Sequence, residues 1–416
     1  WAVLVPLVLF LSLLVSADYL RPGFPYTHDG ENHLARFANY KIALKEGQFP
    51  PRLDCNLLNH YGYPVFNYKY PLANILSLPF SLLGINYEAT FKTLLILSLI
   101  FGGVGVIKWL RSLTLIDQEN KLGLIFALAV YYSSNYLINM VLFRGNIGEV
   151  LAFALFPWVL FWLKNKTFSP VFIVIWVAFL LSHNLMAFFG SMICLIIWLS
   201  EYKKHLQVLK QEVLFFGLIF ALSSWFWWPA VLELNLVAAG HSQLVTLATE
   251  HFPTLKELLF APLQFGFSYP GSVDSLGFSL GAAQWLVVVA SVLVLFLGNK
   301  KARLTFPRKF LSLFGLMIFL ELPISLFLWR IIPILSLLQF PWRLSFFASI
   351  LLLPLASWVF FHSSKQVRWL LLIVLFSQII IQLKLVPLKY FHKSETEYDL
   401  FPQTTTTDNE NMPEDF

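Results

Sequence analysis

The chain has 416 residues, of which 58% are hydrophobic, 17% aromatic and 12% charged, with a formal net charge of +6 and a mean hydropathy of +0.69. A soluble domain carries about twice that charge fraction, and no soluble core of this length hides 42 Phe and 14 Trp, so the chain belongs with polytopic membrane proteins. Its basic residues sit between apolar runs, which excludes a nucleic-acid footprint, and its two cysteines, Cys55 and Cys194, cannot build a disulfide framework.

A spanning helix needs about 20 mostly apolar residues. In chain order the runs that approach this length are 1–20, 88–110, 122–138, 149–163, 170–183, 185–199, 213–232, 280–297, 310–329, 344–361 and 369–387. The first reads as a transmembrane helix rather than a signal peptide, because it lacks an obvious small-residue cleavage site. Both chain ends read as internal to a longer protein. The basic clusters are Lys108/Arg111/Lys121, Lys164/Lys166, Lys203/Lys204/Lys210, Lys300/Lys301/Arg303/Arg308/Lys309 and Lys365/Arg368. Their loops hold few acids: Asp117, Glu119, Glu201 and Glu212. By contrast, Lys256 faces Glu233, Glu250, Glu257 and Asp274 between residues 231 and 278. Placing every basic cluster in the cytoplasm puts an even number of crossings between neighbours. The expected fold is therefore all-α, a polytopic transmembrane bundle of about eleven helices, with the amino end cytoplasmic and the carboxyl end extracytoplasmic.

This topology leaves two long outer loops, 21–87 and 233–278, within a transmembrane domain covering 1–390. Residues 391–416 read as the start of an extracytoplasmic segment. In the first loop "GENHLARFANYKIALKEG" has apolar residues at helical spacing and predicts an amphipathic helix along the membrane. "PLANILSLPFSLLG" is too short to span and predicts a second interfacial or re-entrant helix.

Four polar clusters fall on the outer side under this topology. In "PYTHDGENHLARF" a helix starting near Asp29 puts Asp29, Asn32, His33 and Arg36 on one face, next to His28. A carboxylate there takes a proton from a hydroxyl or holds a divalent cation; equally, Asp29 caps the helix and His33 bonds a loop carbonyl. In "FRGNIGEVLAF", Glu149 opens an apolar run, where it suits the helix dipole, and Arg144 pairs with it or with a phosphate. His183, in "LLSHNLMAFF", is an ionisable group at the membrane boundary and either a functional residue or a satisfied packing residue. Arg343, in "LQFPWRLS", snorkels to lipid phosphate or binds a lipid-linked phosphate. Glu321 is a buried-looking carboxylate with no evident partner.

"THDGENHLARF", "EGQFPPR", "YGYPVFNYKYPL", "RGNIGEVLAFALFPWVL", "LSHN" and "QFPWRL" closely resemble a bacterial membrane-protein family labelled "6-pyruvoyl-tetrahydropterin synthase-related", a label that implies no pterin chemistry here. That family is in turn similar to GT-C glycosyltransferases, including oligosaccharyltransferase catalytic subunits and protein O-mannosyltransferases. The resemblance implies a GT-C-like fold and transfer of a sugar from a polyprenyl-phosphate carrier to an acceptor glycan, lipid or protein at the cell envelope. It implies an acidic residue in the first outer loop as base or metal ligand, which matches Asp29, with Glu31 as the fallback. A second acid in the next outer loop matches Glu149, although here it stands at a helix start. On this basis Asp29, Glu149 and His33 are the catalytic candidates, Arg144, His183, Arg343, Arg36 and His28 the substrate-binding ones, and Asp29 with Glu149 the ligands of a divalent cation, Mg or Mn. The alternatives are a membrane transporter or lipid flippase, which concentrates charge at the bilayer centre, and a non-catalytic envelope scaffold, in which the clusters are caps and turns.

Overall fold

The computed structural model describes residues 2–113, 121–166, 168–201, 206–238, 248–268, 276–297, 305–385, 389–406 and 411–412. Of the charged residues that orient the chain by sequence, Asp117, Glu119, Lys203, Lys204, Asp274, Lys300, Lys301 and Arg303 lie outside these. The fold is nearly all helix. It runs α1 (Leu4–Val15), β1 (Phe24–Pro25), α2 (Gly30–Lys45), α3 (Val65–Tyr68), α4 (Leu72–Leu82), α5 (Tyr87–Ser112), α6 (Lys121–Tyr132), α7 (Asn135–Ile138) and α8 (Ile147–Asn165). It continues through α9 (Pro170–Ser182), α10 (Asn184–Leu199), α11 (Leu209–Leu232), α12 (Leu255–Phe260), α13 (Ala282–Leu297), α14 (Thr305–Glu321) and α15 (Leu326–Ile331). The last elements are α16 (Ser345–Leu351), α17 (Leu353–His362), α18 (Lys365–Gln382), β2 (Tyr390–Phe391) and α19 (Glu395–Asp399).

Each predicted crossing coincides with helix, but the helices differ in reach. Among the described residues four are long and apolar enough to cross a bilayer: 87–112, 147–165, 206–232 and 365–382. The number rises to seven if each of three bent pairs is one span. Helix α1 has 12 residues and α9 has 13, about 18–20 Å at 1.5 Å per residue, against a hydrocarbon core of about 30 Å. Helices α11 and α18 leave large side chains such as Phe220, Trp228, Trp369 and Phe376 exposed. Bare apolar faces of this kind belong in lipid, and the chain is a membrane protein.

The chain divides into two compact units. Unit 1 comprises residues 1–15, 103–143 and 243–388; unit 2 comprises 16–102, 144–242 and 389–416.

In unit 1, α17 packs on α6, α13 on α17 and α18, and α14 on α16. Three apolar helix pairs here are bent, by 41° between α6 and the segment from Asn135, 86° at Leu322 and 42° at Leu352. A break frees carbonyls that lipid cannot satisfy. Unit 1 satisfies them with side-chain amides: Gln378 and Gln382 both donate to the Ser133 carbonyl, at 2.7 and 2.9 Å, and Gln284 donates to the Val130 carbonyl at 3.1 Å. Pro323 follows the second bend and Pro354 the third, each lacking the N–H that would continue the ladder.

In unit 2, α8, α9 and α10 pack together, α11 packs on α9, and α2 packs on α4 and α19. The strands β1 and β2 pair antiparallel, Phe24 opposite Phe391. Helix α2 differs from the interfacial helix expected. Leu34, Ala35, Phe37, Ala38 and Tyr40 are buried, and so are His33, Arg36 and Asn39. Its polar face is covered by residues 389–406 rather than by water: Asn39 donates to the Tyr398 carbonyl at 3.1 Å and Arg36 Nε to Thr405 Oγ1 at 3.2 Å. The segment 389–406 thus folds onto the stretch between α1 and α5.

Candidate functional site

The site lies in unit 2, where the start of α2 meets the start of α8. Asp29 stands at the amino end of α2 but its side chain makes no cap hydrogen bond. Thr27 takes that role, its Oγ1 accepting from the Gly30 N–H at 3.1 Å, so the carboxylate of Asp29 is released for other work. The Asp29 N–H donates to the Arg144 carbonyl at 2.8 Å, which pins the two loops together at the backbone. Gly145 makes this approach possible. It sits at φ +59°, and a Cβ there would overlap the Thr27 side chain.

Asn146 ties the two helix starts together through its side chain. It caps α8, its Oδ1 accepting from the Glu149 N–H at 3.0 Å and from the Tyr70 hydroxyl at 3.1 Å. Its Nδ2 donates to Asp29 Oδ2 at 3.1 Å. Arg144 Nη2 lies 3.7 Å from the same oxygen. Asp29 Oδ1 has no hydrogen-bond partner among the described residues, and the side chain is 31% exposed. One oxygen is anchored and the other open.

Glu149 is in the opposite situation. Its side chain is fully buried, with both oxygens on Arg144 Nη1 at 3.0 and 2.9 Å. His183 Nε2 lies 3.4 Å from Glu149 Oε1. The Met186 N–H donates to His183 Nδ1, so the proton of the neutral ring sits on Nε2 and points at the glutamate. The Tyr70 ring lies tilted against both imidazoles, 4.6 Å from His183 and 6.0 Å from His33, centroid to centroid. Tyr70 fills the space that a Cβ on Gly148 would need.

Electrostatics separate the two acids further. Burial pushes the Asp29 carboxyl upward, but the positive charge around it, Arg144 first and Arg36 with it, more than offsets this and holds it below the usual carboxylate range. Asp29 is therefore ionised at neutral pH. Burial pulls His28 down to about 4, against the attraction of Asp29, and pulls His33 well below its ordinary value. Both imidazoles are uncharged at neutral pH, and His33 Nε2 is buried without a hydrogen-bond partner among the described residues.

The structure thus brings Asp29, His28, His33, Arg144, Glu149 and His183 together. Arg36 joins them through its field on Asp29 and His33. It bonds the hydroxyl and carbonyl of Thr405 and makes no ion pair among the described residues. Glu31, the alternative acid, is paired with Lys393. Arg343 belongs to unit 1, where its Nη1 donates to the Leu338 carbonyl at 2.9 Å and to Gln339 Oε1 at 3.0 Å, and its guanidinium lies 4.9 Å from the Phe340 ring centroid. A divalent cation shared by Asp29 and Glu149 does not fit this arrangement: the Arg144 guanidinium already bridges the two, and both Glu149 oxygens are taken. Asp29 Oδ1 and His33 Nε2 are the donors left for a metal, and no cluster of three His, Cys, Asp or Glu occurs among the described residues.

Sequence reasoning passed over Thr27, Tyr70 and Asn146. Asn146 carried a usable signal, since Asn followed three residues later by Glu ahead of an apolar run is a helix-start pattern. Tyr70 carried none, because its role depends on a contact with a distant glycine.

No protein-family model matches the chain. A protein of Lactococcus lactis subsp. cremoris (strain MG1363), described as "Uncharacterized protein", is 26% identical over 163 residues. That stretch is 39% of this chain and 26% of the relative, so the match spans about a quarter of the relative's length.

Proposed function

We propose that the chain is an integral membrane glycosyltransferase of GT-C architecture. It moves a sugar from a polyprenyl-phosphate carrier to an acceptor hydroxyl on the outer face of the membrane. The observation that carries this reading is the Asp29 carboxylate, ionised, anchored through one oxygen and open at the other. In the proposed step the acceptor oxygen attacks the anomeric carbon, the bond from that carbon to the phosphate oxygen breaks, and the acceptor proton passes to Asp29 Oδ1. A carboxylate held at low pKa is a weak base in the ground state. It takes the proton late, once the new bond has made the acceptor oxygen acidic. Arg36 supplies positive charge for the departing phosphate, since the charge of Arg144 is already balanced by Glu149. Arg144, Glu149, His183 and Tyr70 form the frame that positions Asp29. A divalent cation, if the reaction uses one, would sit on Asp29 and His33 and would polarise the phosphate.

The β1–β2 pairing supports an even number of crossings between the two strands, while the outward side rests on the placement of basic residues. Segments hydrogen-bonded to each other share one side of the membrane, which the ten crossings predicted between them satisfy.

Transfer of radiolabelled sugar from membrane carrier lipid tests the reading. Asp29→Asn keeps the shape and removes the base, and transfer should fall by about 10²-fold or more; an unchanged rate removes Asp29 from the mechanism and the reading with it. A transporter is the second reading, favoured by the three bent apolar helix pairs of unit 1. Substrate uptake into proteoliposomes without sugar transfer would select it.

A further inference from the structure

Arg36, in unit 2, is a buried cation without a contacting counter-ion. It is 6% exposed and makes no ion pair among the described residues. A guanidinium taken out of water is normally paired with an acid. Asp29 feels its field, but that carboxylate is held by Asn146 and faces Arg144. What Arg36 grips instead is one residue of the segment 389–406. Its Nε donates to Thr405 Oγ1 at 3.2 Å and its Nη2 to the Thr405 carbonyl. Nε and Nη2 form an edge of the guanidinium that holds a carboxylate or phosphate through two parallel bonds. Thr405 therefore fills an oxyanion's place with two neutral oxygens.

Thr405 is also poorly suited to its position. It lies at φ +59°, in the left-handed region, where a β-branched side chain is a steric outlier, and it is 3% exposed. The chain is secured on both sides of it. Upstream, Asn56 Nδ2 donates to the Asp399 carbonyl at 3.0 Å and the Asn59 N–H to the Pro402 carbonyl at 2.9 Å. Downstream, the Thr406 and Tyr63 hydroxyls bond at 2.6 Å. The strained residue is a short link between fixed points. One turn back on α2, at i,i+3 to Arg36, His33 has a buried Nε2 without a hydrogen-bond partner among the described residues.

We infer that Thr405 is a plug: it closes a phosphate seat on the Nε–Nη2 edge of Arg36 and is displaced when a phosphate oxygen takes that edge, with His33 Nε2 offering a second N–H. No phosphate reaches the edge otherwise, because Arg36 is buried and Thr405 occupies it. The exchange is favoured on two counts. A charged acceptor replaces neutral ones at a buried cation, and Thr405 leaves the left-handed region. A ligand moves a two-state segment only through such a difference in affinity. The inference rests on the transferase reading for the source of the anion, a lipid-linked phosphate. The chemistry recognised, a phosphate oxygen, is shared with free phosphate.

Calorimetric titration of the detergent-purified full chain with decyl phosphate, and separately with inorganic phosphate, tests the proposal. Decyl phosphate should bind wild type, and Arg36→Gln should weaken binding by about tenfold or more. Thr405→Val keeps the shape and removes the hydroxyl acceptor, so it should bind about threefold tighter or better. Thr405→Ser retains the acceptor and should bind no tighter than wild type. Equal or weaker binding by Thr405→Val makes Thr405 a support of Arg36 instead of its plug and overturns the proposal. Binding that ignores Arg36→Gln does the same. Should Thr405→Val fail to fold, Thr405→Cys reads the movement: decyl phosphate should speed maleimide labelling of that cysteine, and unchanged labelling overturns the proposal. The same pattern with both ligands marks a seat for the phosphate group alone, and the pattern with decyl phosphate only marks a lipid-borne one. Binding of neither overturns it. Because binding is read without sugar transfer, failure of the Asp29→Asn test leaves this seat standing, and failure here leaves that test untouched.

Discussion

Asn146 holds Asp29 by a 3.1 Å hydrogen bond from its Nδ2, while its Oδ1 caps helix α8. A single amide therefore links the start of one helix to the orientation of the open carboxylate. Asn146→Asp separates the two roles, because it keeps a cap acceptor and replaces the donor facing Asp29 with negative charge. We expect near-native stability with sugar transfer reduced by about tenfold or more. Asn146→Ala loses both roles and should also cost about 1 kcal/mol of stability. Equal transfer rates in wild type and Asn146→Asp would show that this hydrogen bond does not position Asp29.

Arg144 and Glu149 form a buried two-bond pair in the same frame. Removing one partner strands the other charge. Glu149→Ala should therefore destabilise the protein by about 3–5 kcal/mol. Glu149→Gln retains the volume and should be milder. Both should lower expression and melting temperature before any effect on chemistry is measured. A Glu149→Ala protein of wild-type melting temperature would show that Glu149 is not part of the frame, and would return it to the catalytic candidates.

Much of the fold was legible along the chain because it is local. Apolar runs mark the helices, and the spacing of Asp29, His33 and Arg36 marks one face of α2. The parts that escaped depend on distant partners. Nothing near Ser133 announces a break, with neither Pro nor Gly beside it; the broken carbonyl is tolerated because Gln378 and Gln382, about 250 residues away, donate to it. The burial of α2 escaped for the same reason, since residues 389–406 cover a polar face that looked ready for water. Charge sorting by sign also hid the different fates of the two acids: Asp29 and Glu149 look alike in sequence, and only their neighbours leave one open and neutralise the other.

Two shifted groups, His28 and Asp29, give a pH dependence with a definite sign. His28 titrates at about 4 in the fold, against 6.5 ordinarily. Between those values the unfolded chain binds a proton that the folded chain refuses, so stability falls as pH drops from 6.5 toward 4. His28→Gln should reduce the slope of that part of a melting curve measured against pH, and His33, also held well below its ordinary value, should keep the remainder. Asp29, held low, stays ionised through the same window. Transfer by protein that remains folded should then show no acid limb at the ordinary carboxylate pKa. An acid limb near pH 4 to 5 in folded protein would contradict the assignment of Asp29 as an ionised base.

Asp54 predicts a dependence of the opposite sign in the same unit. It is buried, with Oδ1 accepting from the Asn56 and Leu57 N–H groups at 3.0 and 3.3 Å and Oδ2 unpartnered among the described residues. Burial raises its carboxyl to about 7, with Glu46 adding to the rise and the two N–H bonds opposing it. The folded state therefore holds a proton that the unfolded state releases, and stability is lost as pH climbs from about 4 through 7. Asp54→Asn keeps the acceptor that closes the turn and removes the titration. It should melt near wild type at pH 4 and above wild type at pH 8, whereas Asp54→Ala, which also loses the turn, should be destabilised at both. If Asp54→Asn melts below wild type at pH 8, the carboxylate is ionised and compensated in the fold, and a cation belongs beside Oδ2.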